Sequence, residues 1–277
     1  MLRILTYNVH RCRGTDRRLS PARIAEVVAR CGPDIVALQE LDIGRARTDH
    51  VDQAHLIARH LKMDFHFHSV LQVEEELYGD AILTALPARL IKAGPLPGFA
   101  VARRLEPRGA LWVAVEIGDG VELHIVNTHL SLIGRERVRQ VATLLGPDWL
   151  GHEDCDGPKI LLGDFNAVPR SAAYKAVARR LSDAQMLLRP RRWPLPTFPA
   201  RLPTLRLDHV FVSTASIEVT GVDVPRGALA RVASDHLPLV VDVEVAAGGV
   251  VGRAITEPAR LHPVVAHDAA PPRRPVG

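Results

Sequence analysis

The stretch Ile160-Leu161-Leu162-Gly163-Asp164-Phe165-Asn166 indicates both the fold and the chemistry of this chain. Its apolar opening predicts a buried strand, which Gly163 ends. Asp164 and Asn166 stand two positions apart, so in extended backbone their side chains point the same way. Both need polar partners, and a divalent cation or a phosphate oxygen would supply them. The alternative is an ordinary strand-to-loop turn containing Asp and Asn, which is common.

Polar residues stand beside apolar, strand-like runs at several other places, which weighs against the ordinary turn. The runs cover residues 2–5, 35–38, 123–126, 210–212 and 237–241. The polar segments beside them are Thr6-Tyr7-Asn8, Gln39-Glu40, Asn127-Thr128-His129, Asp208-His209 and Ser234-Asp235-His236. Side chains gathered from many strand ends are one way in which a sheet forms a single site. We therefore expect these segments to converge.

Periodicity predicts a chain of mixed strands and helices. Strands are expected near 2–8, 34–39, 64–70, 80–85, 110–117, 122–129, 158–164, 207–212, 217–223 and 237–245. Helices are expected at 21–31, 51–62, 134–145 and 171–181. The opening β-α-β pattern gives way to consecutive strands, which favours mixed sheets over a doubly wound sheet. The Pro- and Arg-rich segment 188–206 is expected to be a long surface loop beside a ligand.

Length and composition predict one large domain followed by a tail. Residues 1–245 are expected to form a single domain. Residues 246–277 are rich in Ala, Gly, Pro and Arg without periodicity, and we expect a disordered tail there. The sequence contains no run of about 18 apolar residues, so no transmembrane segment is expected. The N-terminus lacks the layout of a signal peptide.

Cysteine usage and charge give weaker indications. Cys12, Cys31 and Cys155 are irregularly spaced, which favours a reducing cytoplasm. The net charge is +4, of which the tail contributes +2 through four Arg against Glu257 and Asp268, so the body carries only +2. Aromatic residues make up 4% and offer few surfaces for stacking single-stranded bases. Charge thus neither establishes nor excludes a nucleic-acid substrate, and no feature indicates an obligate protein partner.

An ordered set of segments resembles the endonuclease/exonuclease/phosphatase superfamily of deoxyribonuclease I-like, metal-dependent phosphohydrolases. The matching segments are Tyr-Asn-Val-His (7–10), Pro-Asp-Ile-Val-Ala-Leu-Gln-Glu (33–40), Asn-Thr-His-Leu (127–130), Gly-Asp-Phe-Asn (163–166), Leu-Asp-His-Val-Phe-Val-Ser (207–213) and Ser-Asp-His-Leu-Pro (234–238). Each is weak alone, whereas the ordered set is highly specific. The resemblance implies an α+β fold, a four-layer αββα sandwich of two packed mixed β-sheets flanked by helices, with the site at one edge.

The resemblance also implies a metal site. Glu40 is expected to bind the ion directly, and Asn8 is expected to support the ion or a phosphate oxygen. Asp235 would contribute directly or through water. The expected cofactor is Mg²⁺, which prefers one or two carboxylates and keeps several waters, with Mn²⁺ as a substitute.

The resemblance assigns catalytic roles to other motif residues. His236 is expected to be the general base, with its tautomer fixed by Asp208. His129 would donate a proton to the leaving oxygen or stabilise charge on phosphorus. Asp164 would orient or activate the attacking water, and Asn166 would bind a phosphoryl oxygen.

Several residues bear on the substrate. Arg108 and His10 are expected to contact the substrate phosphate. A guanidinium group binds two phosphate oxygens at once through parallel hydrogen bonds. For any single Arg, the alternative is a place in a solvated basic loop. Abasic-site endonucleases of this family usually carry an acidic residue at the position of His10, which argues against the DNA-repair branch. Asp80 stands where the superfamily commonly has Asn. It would either add to metal binding or repel a multiply charged substrate.

These residues predict a magnesium-dependent hydrolase of phosphoric esters, with a phosphodiesterase favoured. The expected substrate is a small phosphodiester, a phospholipid headgroup or a nucleic acid. One alternative is a nuclease acting on DNA or RNA. The other, from a different class, is a catalytically silent member of the family that only binds phosphorylated ligands.

Overall fold

Two six-stranded β-sheets form the centre of the molecule, and helices flank them. The computed structural model describes residues 1–73, 76–99, 106–188 and 195–246. The architecture confirms the predicted α+β sandwich. Residues 247–277 of the predicted tail and residues 189–194 of the predicted loop lie outside the described residues. Within the described ranges, no helix combines the length and apolar character that crossing a membrane requires.

The strands and helices follow one another along the whole described chain. The strands are β1 (Leu2–Asn8), β2 (Ile35–Ile43), β3 (Asp64–Val73), β4 (Glu76–Thr84), β5 (Ala88–Pro95), β6 (Gly109–Glu116), β7 (Glu122–His129), β8 (Lys159–Asp164), β9 (Ser182–Asp183), β10 (Asp208–Val212), β11 (Ile217–Asp223) and β12 (Leu239–Val245). The helices are α1 (Pro21–Cys31), α2 (Gln53–Leu61), α3 (Gly134–Leu144), α4 (Ala172–Ala178), α5 (Ala184–Leu188) and α6 (Ala228–Ala233).

The two sheets have related topologies. The first has the order β11-β12-β1-β2-β4-β3, and the second has the order β5-β6-β7-β8-β10-β9. Each contains one parallel pair, β1 with β2 and β7 with β8, and the remaining neighbours are antiparallel. The parallel pairs end in register, because Asn8 lies opposite Gln39 and His129 lies opposite Asp164. The polar residues at the ends of each parallel pair therefore lie side by side at one edge of the sheet.

The alternation of side chains along β8 explains why its apolar run is fully buried. Ile160 and Leu162 belong to the core that the two sheets share. Leu161 points the other way, into a second core that also contains Leu144 of α3 and Val177 of α4. A strand with helices on one face and a sheet on the other needs apolar residues at successive positions.

A short polar network joins the two sheets through their shared core. Gln39 Nε2 donates to Asn127 Oδ1 at 2.8 Å. Asn127 Nδ2 donates to the carbonyl oxygens of Leu38 and Ala81, each at 3.0 Å. Because buried amides must be paired, these bonds fix the position of β7 against β2 and β4 directly behind the polar strand ends.

Some elements differ from the sequence-based prediction. Strand β5 has no predicted counterpart, because this edge strand is mostly half-buried or exposed and lacks clear alternation. Strand β2 continues to Ile43 through a bulge between Leu38 and Leu41. Helices α5 and α6 span five and six residues, which is too short to show helical periodicity.

Candidate active site

Polar side chains from both sheets meet at one edge of the sandwich. They come from the carboxyl ends of β1, β7 and β8, the bulge of β2, the first residue of β10 and the turn before β12. In that order they are Asn8, His129, Asp164, Glu40, Asp208 and His236. All except Glu40 are buried. The structure therefore brings together residues that the sequence separates by more than two hundred positions.

One oxygen of Asp164 is the meeting point of this cluster. Asn8 Nδ2 donates to Asp164 Oδ2 at 3.0 Å and to Glu40 Oε1 at 3.1 Å. The Nε2 atoms of His129 and His236 lie 3.5 Å and 3.6 Å from the same Asp164 oxygen. Two carboxylates, an amide and two imidazoles thus surround a small volume.

Unusual backbone conformations aim two of these segments. Glu40 has φ 62° in the bulge of β2, and bulges commonly redirect a side chain next to a functional site. Asn166 has φ 47°, in the left-handed region that Asn tolerates better than most residues. Its backbone N–H donates to Asp164 Oδ1 at 2.8 Å, and its Nδ2 donates to the carbonyl oxygen of Leu130 at 2.9 Å.

His236 and Asp208 form a buried pair. His236 Nδ1 lies 2.8 Å from Asp208 Oδ2, which also accepts a hydrogen bond from Thr197 Oγ1 at 2.5 Å. The ring of Phe198 packs against the His236 ring, with centroids 4.8 Å apart. Nδ1 therefore carries a hydrogen, and Nε2 is the nitrogen that faces Asp164. Burial lowers the pKa of His236, but the carboxylates of Asp208 and Asp164 outweigh it and raise that pKa to about 10.

His129 has the opposite electrostatic surroundings. Burial, Arg108 and His236 together lower the pKa of His129 well below its ordinary value. The ring lies between Arg108 Nη1, at 3.3 Å from Nδ1, and Asn166 Nδ2, at 3.0 Å from Nε2. Its Nε2 is also 3.9 Å from Glu40 Oε1. The two histidines of the cluster thus differ in charge near pH 7.

The donor set fits a hard divalent cation. Burial raises the pKa of Asp164 to about 6 and that of Asp80 to about 7, because negative charge is poorly solvated there. Asp208 Oδ1 is buried without a hydrogen-bond partner among the described residues. Buried carboxylate and amide oxygens are the ligands that Mg²⁺ and Mn²⁺ prefer. A cation here would offset charge that the protein's own donors leave uncompensated.

One compact group of two carboxylates and an imidazole differs from the predicted metal set. Among the described residues, ligand atoms of Asp164, Asp208 and His236 all lie within 4.8 Å of one another. The metal set expected from the resemblance is Asn8, Glu40 and Asp235. Of these, Asn8 donates to both Glu40 and Asp164, which links the predicted set to Asp164.

The remaining predicted residues lie at the rim or beside His129. Asp235 Oδ1 is 3.8 Å from His10 Nδ1, and both side chains are about one-third exposed, at 37% and 31%. Arg108 is buried, with 9% exposure, and its nearest predicted partner is His129. Arg11 Nε lies 4.0 Å from Glu40 Oε2. Arg108 therefore lies deeper than a residue of a solvated basic loop.

The sequence does not indicate two features of the site. Thr197 and Phe198 contact the Asp208–His236 pair, although only the general expectation of a loop beside the ligand covers them. The second feature is a buried network behind Asn166, centred on Asp183. Asp183 Oδ2 accepts from Tyr174 Oη at 2.7 Å and from Arg206 Nη2 at 2.5 Å. No motif spacing marks these residues.

The Asp183 network reaches the site through His209. His209 Nε2 lies 2.7 Å from the carbonyl oxygen of Ala167, the residue after Asn166, and His209 Nδ1 lies 3.7 Å from Asp183 Oδ2. Burial alone would raise the pKa of Asp183, but His209, Arg206 and Tyr174 lower it well below its ordinary value. A buried ion pair thus supports the turn that presents Asn166.

Comparisons with known proteins agree with this architecture. A sequence profile of the Endonuclease/Exonuclease/phosphatase family matches residues 5–236. The uncharacterized protein YbhP of Escherichia coli K12 is 27% identical over 252 residues, which cover 88% of this chain and 96% of YbhP.

Solved structures show the same fold. An endonuclease/exonuclease/phosphatase of Beutenbergia cavernae superposes with a TM-score of 0.67 at 23% identity, covering 88% of this chain and 71% of that one. The human Nocturnin catalytic domain superposes with a TM-score of 0.65 at 23% identity, covering 88% of this chain and 94% of that one. The mannosyl-6-phosphatase Bt3783 of Bacteroides thetaiotaomicron superposes with a TM-score of 0.68 at 22% identity, covering 88% of this chain and 100% of that one. Together with the profile match over nearly the whole described sandwich, the chain belongs to the Endonuclease/Exonuclease/phosphatase family.

Proposed function

We propose that this chain is a divalent-metal-dependent hydrolase of phosphoric esters and that its substrate is a phosphodiester. The observation that carries the proposal is the convergence of Asn8, His129 and His236 on Asp164 Oδ2, with Glu40 beside Asn8 and His129. The family description names enzymes that cleave phosphate esters, and one similar structure is named a mannosyl-6-phosphatase. Both support phosphoester hydrolysis in general.

The metal would be held at the mouth of the cluster. Glu40 would bind it, with Asn8 and Asp164 beside it and Asp235 contributing directly or through water. When bound, Mg²⁺ or Mn²⁺ would polarise a phosphoryl oxygen and offset the charge that develops during attack. We assign Mg²⁺ as the natural ion because Glu40 and Asp235 would supply one or two direct carboxylate ligands, the number with which Mg²⁺ is usually bound alongside several waters.

The chain's own residues would position the water and the phosphate. Asp164 Oδ2 and His236 Nε2 lie 3.6 Å apart, so a water placed against both would be held by two hydrogen-bonding groups. Asp208 orients the His236 ring by accepting its Nδ1 hydrogen. Because the pKa of His236 is raised to about 10, Nε2 also carries a hydrogen near pH 7 and would donate to that water. Asp164, whose pKa is about 6, would therefore accept the water's proton in place of the general base predicted at His236.

His129 and Asn166 would act on the phosphoryl group. Because the pKa of His129 is lowered, the ring is neutral near pH 7. We therefore favour stabilisation of charge on the phosphoryl group by an N–H of His129 over transfer of its proton to the leaving oxygen. Asn166 Nδ2, which lies 3.0 Å from His129 Nε2, would donate to a phosphoryl oxygen in the same region.

The test is release of nitrophenol from bis-p-nitrophenyl phosphate during a Mg²⁺ titration. We expect turnover that EDTA abolishes and that exceeds turnover of the monoester p-nitrophenyl phosphate. The variant Glu40→Gln should raise the Mg²⁺ concentration needed for half-activity. Glu218→Gln is the matched control, because Glu218 is an exposed residue of β11.

The outcomes separate the alternatives. Tight binding of a phosphodiester without turnover in any divalent ion would favour a silent, ligand-binding member of the family. An unchanged Mg²⁺ requirement in Glu40→Gln would place the ion elsewhere. Turnover of duplex DNA or RNA well above that of small diesters and phospholipid vesicles would instead identify a nuclease.

A further inference from the structure

Arg108 and His129 form a buried contact in which only one partner can accept a hydrogen bond. Arg108 Nη1 lies 3.3 Å from His129 Nδ1, and the two residues are 9% and 3% exposed. A guanidinium group has five N–H donors and no acceptor. A hydrogen bond between these atoms therefore requires an unprotonated Nδ1, which in a neutral ring puts the single hydrogen on Nε2.

A second donor competes for the same ring. Asn166 Nδ2 lies 3.0 Å from His129 Nε2, and a hydrogen bond from Asn166 would require an unprotonated Nε2. A neutral imidazole carries one N–H, so Arg108 and Asn166 cannot both donate to it. The tautomer of His129 depends on which of the two contacts is the hydrogen bond.

The surrounding atoms favour Arg108. Hydrogen bonds from an ionised donor are about twice as strong as neutral ones, and a hydrogen on Nδ1 would point at a buried cation. Asn166 Nδ2 already donates to the carbonyl oxygen of Leu130 at 2.9 Å. A hydrogen on Nε2 has two carboxylate acceptors nearby, Asp164 Oδ2 at 3.5 Å and Glu40 Oε1 at 3.9 Å.

The fold places Arg108 where it can act on His129. Arg108 immediately precedes β6, and Ala110 pairs with Thr128, which brings the start of β6 beside the end of β7. Leu96 N donates to the Arg108 carbonyl oxygen at 2.7 Å, and Thr128 Oγ1 donates to the Gly109 carbonyl oxygen at 3.0 Å. Hydrogen bonds to the carbonyl oxygens of Arg108 and Gly109 thus hold this segment beside the end of β7.

We propose that Arg108 is a positioning residue that fixes His129 in the tautomer with hydrogen on Nε2. The consequence for catalysis rests on the proposed function, whereas the tautomer itself does not. With this tautomer, His129 presents an N–H to the volume between Asp164 and Glu40, where a phosphoryl oxygen would lie. The other tautomer would present a lone pair to that oxygen and repel it.

Nuclear magnetic resonance of ¹⁵N-labelled protein tests the tautomer without any substrate. Long-range ¹H–¹⁵N correlations distinguish protonated from unprotonated ring nitrogens, and His129→Gln identifies the signals of His129 by their loss. We expect a protonated Nε2 and an unprotonated Nδ1 in the wild type. Arg108→Met should shift the ring toward a hydrogen on Nδ1, and Arg108→Lys should restore the wild-type pattern.

A kinetic cycle tests what the tautomer does. Arg108→Met should lower kcat about 10–100-fold, the usual effect of losing a partner that orients a functional histidine. It should have no further effect in a His129→Gln background, because Arg108 acts through His129. A raised KM with unchanged kcat would instead mean that Arg108 binds the substrate.

The structural and functional outcomes are separable. A protonated Nδ1 in the wild type overturns the proposal whether or not the variants fold, and so does an Arg108→Met protein with the wild-type tautomer. Absence of turnover in a wild-type protein that has the expected tautomer would count against the proposed function alone.

Discussion

Asp164 is the central residue of the polar cluster, because its Oδ2 contacts Asn8, His129 and His236. The variant Asp164→Asn keeps the shape of the side chain and removes its charge. We expect turnover to fall about 10²–10⁴-fold, the range for a group that positions or deprotonates the nucleophile. The measurement is the initial rate on bis-p-nitrophenyl phosphate at saturating Mg²⁺.

The matched control is Asp154→Asn, since the Asp154 side chain is 65% exposed and lies outside the motifs. That variant should keep the wild-type rate. A wild-type rate in Asp164→Asn itself, with a circular dichroism spectrum like that of the wild type, would show that Asp164 has no part in the reaction.

Asp183 gives a prediction about stability. Its carboxylate is buried and binds Arg206 and Tyr174. Asp183→Asn would leave the guanidinium of Arg206 buried without its charge partner. Losing one member of a buried pair costs about 3–5 kcal/mol in the free energy of unfolding, which urea denaturation at pH 7 measures.

The same pair predicts a pH dependence. The pKa of Asp183 is lowered in the folded protein, so its contribution to stability is present above the unfolded value of about 3.9. It is lost as the pH falls from there toward the lower folded value. The difference in free energy of unfolding between the wild type and Asp183→Asn should therefore become smaller below about pH 4. A difference that stays constant or widens there would contradict the lowered pKa.

At the residue scale, the sequence indicated the members of the cluster but not all their contacts. Asp164 and His236 could be predicted because they stand in motifs next to apolar runs. Thr197 and Arg206 could not, because no spacing rule relates them to their partners Asp208 and Asp183. The contact of Arg108 with His129 likewise depends on the pairing of β6 with β7.

At the scale of elements, the parallel contact of β7 with β8 requires glycine at position 163. Gly163 has φ +133°, and a Cβ there would lie 1.9 Å from the backbone oxygen of Thr128. Gly163→Ala must therefore separate the two strands that carry His129 and Asp164. We expect the free energy of unfolding to fall by about 1–3 kcal/mol from backbone strain alone. We also expect a loss of turnover.

Urea denaturation and the diester assay measure the two effects. Gly227→Ala is the control, because a Cβ at that position meets no atom within 4 Å and its φ of −61° is ordinary. A Gly163→Ala protein as stable and active as the control would mean that the two strands tolerate separation without disturbing the site.

The strands were more predictable than their pairing. Buried runs such as Ile160-Leu161-Leu162 identify a strand because both of its faces are covered. The edge strand β5 and the two-residue β9 lack that signal, since one side of an edge strand faces solvent. The bulge that turns Glu40 toward Asn8 is a property of the pairing of β2 with β4, which periodicity does not encode.

At the scale of the whole molecule, the two sheets repeat one arrangement: a parallel pair whose strand ends face the site, flanked by antiparallel strands. This repetition explains why ligands distant in sequence converge, with Asn8 and Glu40 coming from one sheet and His129 and Asp164 from the other. The layered fold was predictable from the resemblance of ordered motifs. Composition and periodicity alone indicated only mixed sheets.

The boundary of the domain gives a prediction at this scale. Strand β12 ends at Val245, and Ala246 N donates to the Ser216 carbonyl oxygen at 3.0 Å. A chain ending at Ala246 keeps every contact described above. We expect it to match the full chain in urea midpoint and in turnover of the diester. A marked loss of either would show that residues 247–277 belong to the folded unit.

Crystals grown with Mn²⁺, an ion that gives an anomalous signal, test most directly whether strand ends of both sheets form one metal site. We predict an anomalous peak about 2 Å from a Glu40 oxygen, in the volume bounded by Asn8, Asp164 and Asp235. That peak should be absent in Glu40→Gln crystals grown at the same Mn²⁺ concentration. Saturating Mn²⁺ that leaves this volume without a peak, or that binds only elsewhere on the surface, would contradict it.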